Sequence, residues 1–534
     1  MTAAISVSDN ISLQNNDEET KLKFLALAFA VLQAKERLEK KGGISSMLHL
    51  LNIPEISYAV SALPTEMRNK FSNWFRGLSE GDLNDISKAY NWRELHINII
   101  GNQLFSSDIA KEKGAIFTPD WLAQRVTNEA IRYWKRLNPG KGNPRRVGDL
   151  SCGAGVFLSY LKKLVSSDTE IIGVDSCAEY VCISRLNAVG DQQCSIECLD
   201  TLIDLHSEKQ KSLFGGSETL PISDYDIIVG NPPYVRSQLL NASYSQKLKK
   251  LYPQLTKGNF DLVVLFLAQT LDALSSGGIG ALIVSNKFMG SRYGDEICRR
   301  LANESRILEI IDFGDGQVFP DKTTYTCVIT FAKLPPVGTT SVINFPPGLI
   351  WNDKGNHFEL GQKLQIPQER FQSVPWNLAG NAHDEILRIM HRPNMPLLFD
   401  LFPNISQGVR TGANHIFVIK NVNVAAIEKE LLQPYVSGEN IRRCQIVSTN
   451  KYLLWLYKKD DQKVSNVIPA NELEENYPKA WSYLLGFQKE LADRELDSSI
   501  PWYGYSRTQN LELIHRPKIL AREMMPWAEF AADI

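Results

Sequence analysis

The sequence lacks an excess of charge of either sign. Its 534 residues include 58 Lys and Arg against 60 Asp and Glu, a formal net charge of -2. A nucleic-acid-binding protein usually carries a basic excess, and a disordered chain usually has few apolar residues. With 43% hydrophobic residues, this chain is predicted to form globular domains, about three at this length. The charge balance by itself therefore gives no indication of a nucleic-acid partner.

Cysteines and long hydrophobic runs are also scarce. Eight cysteines are too few for a disulfide scaffold, and Cys194 and Cys198 have no second Cys or His pair at zinc spacing. We therefore predict free thiols in a reducing cytoplasm and no metal site. The N-terminus has no basic segment before an apolar run, so no signal peptide is predicted. The run Phe24–Leu32 is shorter than the roughly 20 residues that span a bilayer, so no membrane partner is expected.

Four regions differ in their pattern of apolar residues. Residues 1–108 show helical spacing and are predicted to form a helical accessory domain. Residues 109–335 alternate short apolar runs with helical patterns, which predicts a parallel α/β sheet. Residues 336–396 are interpreted as a mixed connector, and residues 397–534 as a mostly β domain with long loops. The predicted strands of the α/β region are Arg146–Leu150, Glu170–Val174, Tyr225–Val229, Gly280–Ser285, Ile307–Asp312 and Thr326–Phe331.

Three elements of the α/β region suggest an adenosyl ligand. Asp149, Gly153 and Gly155 lie between the first strand and a helix, where glycines let the backbone approach a ligand closely. Asp175 ends the next strand and can accept hydrogen bonds from ribose hydroxyls, although an Asp there also often caps a helix. Asp200 follows a third strand-like stretch, where it can accept from an adenine amino group or lie on a surface loop.

The motif Asn231-Pro232-Pro233-Tyr234 follows a buried strand, at the sheet edge where α/β proteins bind ligands. An exocyclic amino group on a heteroaromatic ring is a poor nucleophile because its lone pair is delocalised. The Asn231 side-chain oxygen and the Pro232 carbonyl can accept its two N–H bonds and aim the lone pair at an electrophile. Tyr234 offers a face on which a base rotated out of the duplex can stack. The motif could otherwise be an ordinary turn.

Taken in order, GAIFTP, DLSCGAG, GVD, DTL and GNPPY resemble the motifs of gamma-class DNA adenine-N6 methyltransferases of restriction–modification systems, the TaqI type. The resemblance implies a Rossmann-like, S-adenosylmethionine-dependent methyltransferase domain and a C-terminal target-recognition domain. It implies a catalytic tetrad of Asn231, Pro232, Pro233 and Tyr234. Leu150 stands where the family usually has Pro, a change that removes no ligand group. The residues expected to bind the cofactor are Phe117, Thr118, Pro119, Asp149, Cys152, Gly153, Gly155, Asp175 and Asp200.

The resemblance extends past the methyltransferase region, beginning with ISQGVRTGANHIFVI at residues 405–419. Family members generally carry a further stretch of this domain, so we expect an unusually short domain, a fragment, or completion by a partner. Residues 401–534 hold 16 Lys and Arg and 16 Asp and Glu. Contact with double-stranded DNA is therefore expected to depend on the local arrangement of a few groups. The candidates are Arg410, Thr411, Arg442, Arg443, Lys451 and Arg507.

Other interpretations remain open at this point. Glu39 and Lys41 form the Glu-x-Lys pattern of some nucleases, but they lie in a charged helical stretch, which favours a solvated helix face. The same catalytic motif occurs in methyltransferases that act on RNA or on a protein glutamine. A remoter alternative is a catalytically silent DNA-binding subunit of a defence system. A separate restriction nuclease or other defence proteins are considered as partners.

Overall fold

The computed structural model falls into two compact units, Met1–Leu387 and Arg388–Ile534, and each is described by itself. The residues that it describes are 18–39, 50–80, 82–83, 86, 118–206, 223–319, 325–351, 357–378, 396, 398–402, 404–420, 427–447, 450–459, 464–494, 496, 500–514, 516–522 and 529–533. Within these ranges, no helix is both long and apolar enough to cross a membrane.

The first unit begins with three helices, α1 (Glu18–Glu39), α2 (Pro54–Val60) and α3 (Thr65–Arg76). The periodicity predicts one apolar and one charged face for α1, but residues 24–32 are all buried. They are enclosed because α1 packs against α3 and against a helix of the α/β region, with which it shares one apolar core. The predicted helical N-terminal region is thus observed, and its helix α1 is part of the hydrophobic core. Lys41 lies outside the described residues.

The α/β region contains a nine-stranded sheet in the order β3-β2-β1-β4-β5-β7-β6-β8-β9. Strands β3, β2, β1, β4 and β5 run parallel to one another, as the alternating pattern predicts. Central strand β4 is entirely buried, in keeping with its apolar, β-branched sequence. The strands are β1 (Arg146–Asp149), β2 (Glu170–Asp175), β3 (Cys194–Cys198), β4 (Tyr225–Gly230), β5 (Leu274–Ser285), β6 (Arg306–Asp312), β7 (Thr326–Ala332), β8 (Thr339–Asn344) and β9 (Gln362–Pro367).

Two features of this sheet differ from the sequence-based expectation. The sheet is mixed, because β7 runs antiparallel to both β5 and β6. The connector predicted from residue 336 onward supplies β8 and β9, which extend the sheet beyond β6. Short polar-flanked strands at a sheet edge have weak periodicity, so sequence alone did not separate them from loops. The division between the units also falls at residue 387, before the predicted limit at 396.

Helices cover both faces of the sheet. One face packs against α4 (Asp120–Leu137) and α5 (Val156–Leu164). The other packs against α8 (Leu262–Ala273), which is buried over almost its whole length, and α9 (Asp295–Glu304). Two further helices, α6 (Ala178–Asn187) and α7 (Ala242–Leu251), follow β2 and β4. This arrangement places the loops after β1, β2, β3 and β4 at one edge of the sheet, where α/β proteins bind ligands.

The second unit combines small antiparallel sheets with short helices. Its largest described sheet has the order β10-β14-β11, and three two-stranded sheets accompany it. The strands are β10 (Val418–Lys420), β11 (Leu432–Pro434), β12 (Ile441–Arg442), β13 (Gln445–Ile446), β14 (Lys451–Leu454), β15 (Tyr457–Lys459), β16 (Val464–Val467), β17 (Lys518–Ala521) and β18 (Phe530–Asp533). The helices are α10 (Leu398–Leu401), α11 (Asn414–Phe417), α12 (Ala470–Asn476), α13 (Pro478–Leu485) and α14 (Gln488–Ala492).

Candidate active site

The glycine loop connects β1 to α5 through a tight turn. Gly153 and Gly155 adopt positive φ angles of 52° and 92°, which L-residues with a side chain rarely adopt. A Cβ on Gly155 would also lie 2.6 Å from Ser184 Oγ of α6, so the loop approaches that helix closely. At Gly153, apart from its chain neighbours, no atom of the described residues lies within 4 Å of the position a Cβ would take. The backbone here therefore borders open space at the carboxyl edge of the sheet.

Asp175 fixes the glycine loop to the end of β2. Its Oδ2 accepts a hydrogen bond from Gly153 N and its Oδ1 accepts one from Cys177 N, both at 2.8 Å. The second bond satisfies the backbone N–H of Cys177, which itself holds the N-cap position of α6, so Asp175 is not the cap of this helix. Asp175 thus holds the glycine loop against the residue that begins α6. Its proposed ribose contact stays a prediction.

Asp149 lies at the end of β1 and is buried. Its Oδ1 accepts from Ser151 N at 2.9 Å, while its Oδ2 is buried without a hydrogen-bond partner in the described part of the chain. Burial raises the pKa of this carboxyl to about 8, with a further contribution from the nearby Asp175 charge. Gly230 at the end of β4 would place a Cβ 2.7 Å from Asp149 Oδ1. Only glycine lets the strand that leads into the catalytic motif lie this close.

Two of the expected cofactor residues use their side chains elsewhere. The Cys152 thiol is 3% exposed and packs in the core beneath the sheet, so only its backbone belongs to the loop surface. Burial raises the pKa of this thiol well above its usual value. Asp200 accepts from the backbone N–H groups of Leu202 and Ile203, at 2.9 and 3.2 Å, and bonds to the Tyr244 side chain. These contacts show Asp200 stabilising its own loop.

The catalytic motif contacts the segment before α4. The Asn231 side-chain nitrogen donates to Thr118 Oγ1 at 3.1 Å, and Asn231 follows β4 directly. Pro119 precedes the first residue of α4, where its fixed φ is compatible with a helix start. The structure therefore brings Thr118 to Asn231, and the cofactor contact expected of Thr118 and Pro119 stays a prediction. Phe117 lies outside the described residues.

Tyr234 is partly exposed, but its hydroxyl oxygen is buried without a hydrogen-bond partner in the described ranges. Burial raises the pKa of this phenol well above its usual value, so the group stays neutral. The ring meets the Phe319 ring edge to face, with centroids 6.5 Å apart and an interplanar angle of 72°. Pro232 is buried and Pro233 is half-buried. The four residues thus form a packed loop in which Asn231, Pro233 and Tyr234 are partly exposed.

A connection that the sequence did not predict links the N-terminal helices to the glycine loop. Arg37 of α1 donates to the carbonyls of Leu186 and Asn187 at 2.9 and 2.8 Å, at the C-terminal end of α6. The Asn187 side chain in turn donates to the Ala154 carbonyl in the loop at 3.1 Å. Cations and donors at a helix C-terminus satisfy its last carbonyls. No sequence signal pairs residues so far apart.

In the second unit, Thr411 does not fit the DNA-contact role predicted for it. It is 1% exposed, and its hydroxyl bonds to Asn414 Oδ1 at 2.6 Å and accepts from Ala413 N at 3.1 Å. The side chain is therefore used to begin α11. The remaining five candidates are exposed: Arg410, Arg442, Arg443, Lys451 and Arg507. Of these, Arg410 and Arg507 pair through an antiparallel backbone bridge.

The loop geometry suits S-adenosylmethionine, the cofactor that the resemblance implies. The site offers open space beside Gly153, a carboxylate at the end of β2, and a buried Asp149 oxygen with no protein partner in the described chain. A ligand with hydroxyl and ammonium donors and a cationic sulfonium matches these acceptors. The described residues include no group of three or more His, Cys, Asp or Glu side chains that could hold a metal ion.

Residues 169–319 match the family model described as Eco57I restriction-modification methylase. Over these residues the chain is similar to this family. It is 26% identical over 79% of its length to the Type II methyltransferase M.BanIII of Aneurinibacillus aneurinilyticus, covering 78% of that protein. It is 27% identical over 88% of its length to the Type II restriction enzyme and methyltransferase RM.Eco57I of Escherichia coli, and spans about half (53%) of that protein.

A solved structure shows the same fold. The Type IIL restriction–modification enzyme MmeI, in complex with DNA, aligns with 92% of this chain and 74% of its own, with a TM-score of 0.51 and 11% identity. The predicted gamma-class family and the methyltransferase fold are confirmed. The predicted enzyme class is also confirmed: a restriction–modification DNA methyltransferase specific for adenine N6. Its cofactor is S-adenosylmethionine and its substrate is DNA.

Proposed function

We propose that this Eco57I-family enzyme methylates N6 of an adenine that is rotated out of the DNA duplex, with Asn231, Pro232, Pro233 and Tyr234 as its catalytic residues. The adenine amino group is stacked inside the duplex, so an enzyme must extrude the base at a cost of a few kcal/mol to react with it. The partly exposed Tyr234 ring provides a surface for the extruded base. S-adenosylmethionine supplies a methyl group on a sulfonium, an electrophile that requires no metal ion.

The contact between Asn231 and Thr118 carries this proposal. Because Thr118 accepts from the Asn231 nitrogen, the amide oxygen faces away from Thr118, as an acceptor for an amino N–H must. The Pro232 carbonyl is bonded to the nitrogen of Pro233, which carries no hydrogen, so this peptide group presents only an acceptor. Two acceptors on one amino group localise its lone pair on nitrogen. The amino proton is then released to solvent, because the described site presents no committed general base.

The proposed cofactor contacts follow the carboxyl edge of the sheet. The glycine loop, Gly153 and Gly155, would lie along the cofactor backbone, and Asp175 beside the ribose. Thr118 and Pro119 would border its methionine end. Asp200 is held by its own loop and by Tyr244, so its contact would be to the adenine ring through one carboxylate oxygen. Asp149, buried and with its pKa raised, would donate or accept one hydrogen bond according to its protonation.

Transfer of a tritiated methyl group to duplex DNA, single-stranded RNA and a bacterial protein extract tests the proposed substrate. We expect label in duplex DNA alone, recovered as N6-methyladenine after nuclease digestion. Asn231→Ala should abolish transfer while cofactor binding by calorimetry stays nearly intact. Label in RNA or protein would favour the alternative substrates, and a variant retaining more than a tenth of the rate would contradict the role of Asn231.

The biological partners belong to the same proposal. Modification by an enzyme of this family protects host DNA from a nuclease of matching specificity, so we propose a separate restriction nuclease or other defence proteins as its companions in the cytoplasm. Single-molecule sequencing of DNA from cells that express the chain would identify the modified motif. A genomic neighbour whose nuclease is blocked by that modification would identify the companion.

A further inference from the structure

We infer that helix α7 and the loop around it form a docking surface for the phosphate backbone of DNA, next to the catalytic motif. This inference rests on the proposed function and adds a contact region within the methyltransferase unit. Every DNA contact predicted from the sequence lies within residues 410–507. The surface consists of residues 236–260, which we call the post-motif segment because they follow Tyr234.

The post-motif segment has an unusual charge for this chain. Residues 227–260 contain five Lys and Arg and no Asp or Glu, whereas the whole chain carries 58 basic and 60 acidic residues. The five cations are Arg236, Lys247, Lys249, Lys250 and Lys257. All five are exposed. A local basic cluster is the electrostatic feature that a neutral DNA-binding protein requires.

The cations also lack the acidic partners that other helices of this unit supply. Arg132 pairs with Glu129 on α4, Lys162 with Asp191 beside α5, and Arg300 with Asp272 and Glu304 on α9. Within the described ranges, no ion pair involves any of the five post-motif cations. Of the five, Arg236 lies near an acid, Asp261. Burial raises the pKa of Asp261, and the Arg236 charge partly offsets this rise. The surface is thus available to a polyanion.

Helix α7 is amphipathic: one face packs against the protein, and the opposite face carries the lysines. At 100° per residue, Tyr244, Leu248 and Tyr252 share one face, and Leu248 is fully buried. Lys250 lies on the opposite face, with Lys247 and Lys249 on its two sides. Asn241 caps the helix by accepting from Tyr244 N at 2.8 Å, which fixes where α7 begins.

The anchored face places α7 beside the candidate site. Tyr244 bonds to the Asp200 side chain, and the Tyr252 hydroxyl donates to the Leu202 carbonyl at 3.2 Å, so the helix rests on the loop after β3. The two ends of the segment meet next to the motif: Ser237 N donates to the Phe260 carbonyl at 2.8 Å, and beside it Leu262 N donates to the Val235 carbonyl at 3.0 Å. A cationic surface held this near Tyr234 can bind the phosphates that flank an extruded base.

Equilibrium binding of the full chain to a 25-base-pair duplex, measured by fluorescence anisotropy between about 50 and 200 mM salt, tests this surface. The double variant Lys247→Ala/Lys250→Ala should weaken binding about tenfold and reduce the slope of log K against log salt by about 2. Lys247→Arg/Lys250→Arg retains both charges and should retain the slope. A matched control, Lys135→Ala/Lys163→Ala, removes two exposed cations from helices on the opposite face of the sheet.

Cofactor affinity and the maximal rate separate this inference from the proposed function. The Ala variant should bind S-adenosylmethionine as the unaltered chain does and reach the same kcat at saturating DNA, with a raised KM for DNA. An unchanged salt slope and affinity in a variant that still binds the cofactor would overturn the docking surface alone. If the unaltered chain shows no salt-dependent DNA binding, the proposed function fails, and the docking surface with it.

Discussion

The side-chain amide of Asn231 donates to the hydroxyl of Thr118 over 3.1 Å, which joins two segments 113 positions apart. The contact connects the segment before α4 with the loop after β4 at the carboxyl edge of the sheet. An amide that donates on one side presents its oxygen on the other. Thr118 therefore orients the group proposed to accept the adenine amino N–H, in addition to any contact with the cofactor.

Thr118→Val should lower kcat about fivefold with little change in cofactor affinity. Valine keeps the shape of threonine but cannot accept from the Asn231 amide, and one such bond is worth about 1 kcal/mol. The orientation of the amide then becomes free, which affects reaction more than binding. Single-turnover methyl transfer and calorimetry with S-adenosylmethionine measure the two effects separately.

Thr118→Ser is the matched control, because it restores the hydroxyl without the methyl group. We expect it to recover most of the rate lost in Thr118→Val. Equal defects in the two variants would show that Thr118 acts through packing. A loss confined to cofactor affinity would instead place its role at the methionine end of the cofactor.

The sequence predicted those parts of the site in which a chemical motif directly follows a recognisable strand. The glycine loop, Asp175 and the catalytic motif all follow strands whose apolar pattern is clear, and the observed strand limits lie within one or two residues of the predicted ones except at β5, which begins at Leu274. Parallel strands bring such loops to one edge. The position of these residues could therefore be deduced before any contact was seen.

The N-terminal helices should support cofactor affinity through Asn187. Removing its bond to the Ala154 carbonyl, in Asn187→Ala, frees the glycine loop on one side and should weaken S-adenosylmethionine binding about fivefold, equivalent to about 1 kcal/mol. Arg37→Gln should give a smaller effect in the same direction, because Arg37 acts on the same helix end. Calorimetry measures both.

Arg68→Ala on α3 is the control for a general effect of the N-terminal region, since this half-buried Arg makes a long, weak hydrogen bond to Thr65 at 3.4 Å. It should leave cofactor affinity unchanged. If Asn187→Ala binds S-adenosylmethionine with normal affinity while its melting temperature falls, the contact serves stability alone.

Contacts between distant segments are what the sequence could not reveal. Thr411 is a polar residue next to an Arg in a loop, a pattern compatible with DNA contact, yet its hydroxyl begins α11. Cys152 lies inside a cofactor motif, yet its thiol packs in the core. In both cases the direction of a side chain depends on tertiary packing, which a one-dimensional pattern does not contain.

Thiol labelling can test the proposed position of the cofactor without an activity assay. Cys198 and Cys444 are exposed, whereas Cys152, Cys182 and Cys327 are almost fully buried, so a maleimide should modify the first two in the native protein. Burial and the Asp175 charge raise the pKa of Cys198, so its labelling should be slow at neutral pH and should accelerate as the pH rises. Peptide mass spectrometry after timed quenching identifies each site.

S-adenosylhomocysteine should protect Cys198 but not Cys444. The Cys198 thiol lies beside the Ser176 carbonyl, one residue after the acid proposed to bind ribose. Cys444 lies in the second unit and serves as the internal control. Equal labelling rates at Cys198 with and without saturating ligand would place the cofactor elsewhere.

The raised pKa of Asp149 should make the stability of the folded chain decrease as the pH rises. Its pKa rises from an ordinary 3.8 to about 8 on folding, so between these values the folded chain holds a proton that the unfolded chain has released. Stability from this group is complete below about pH 4 and is lost as the pH rises to about 8. Asp149→Asn keeps the acceptor for Ser151 N and removes the buried acid. The melting temperature of the variant, relative to the unaltered chain, should therefore increase from pH 5 to pH 9. Asp168→Asn removes an exposed acid and should give no such trend, and parallel melting curves for Asp149→Asn and the unaltered chain across this range would show that Asp149 is ionised in the folded protein.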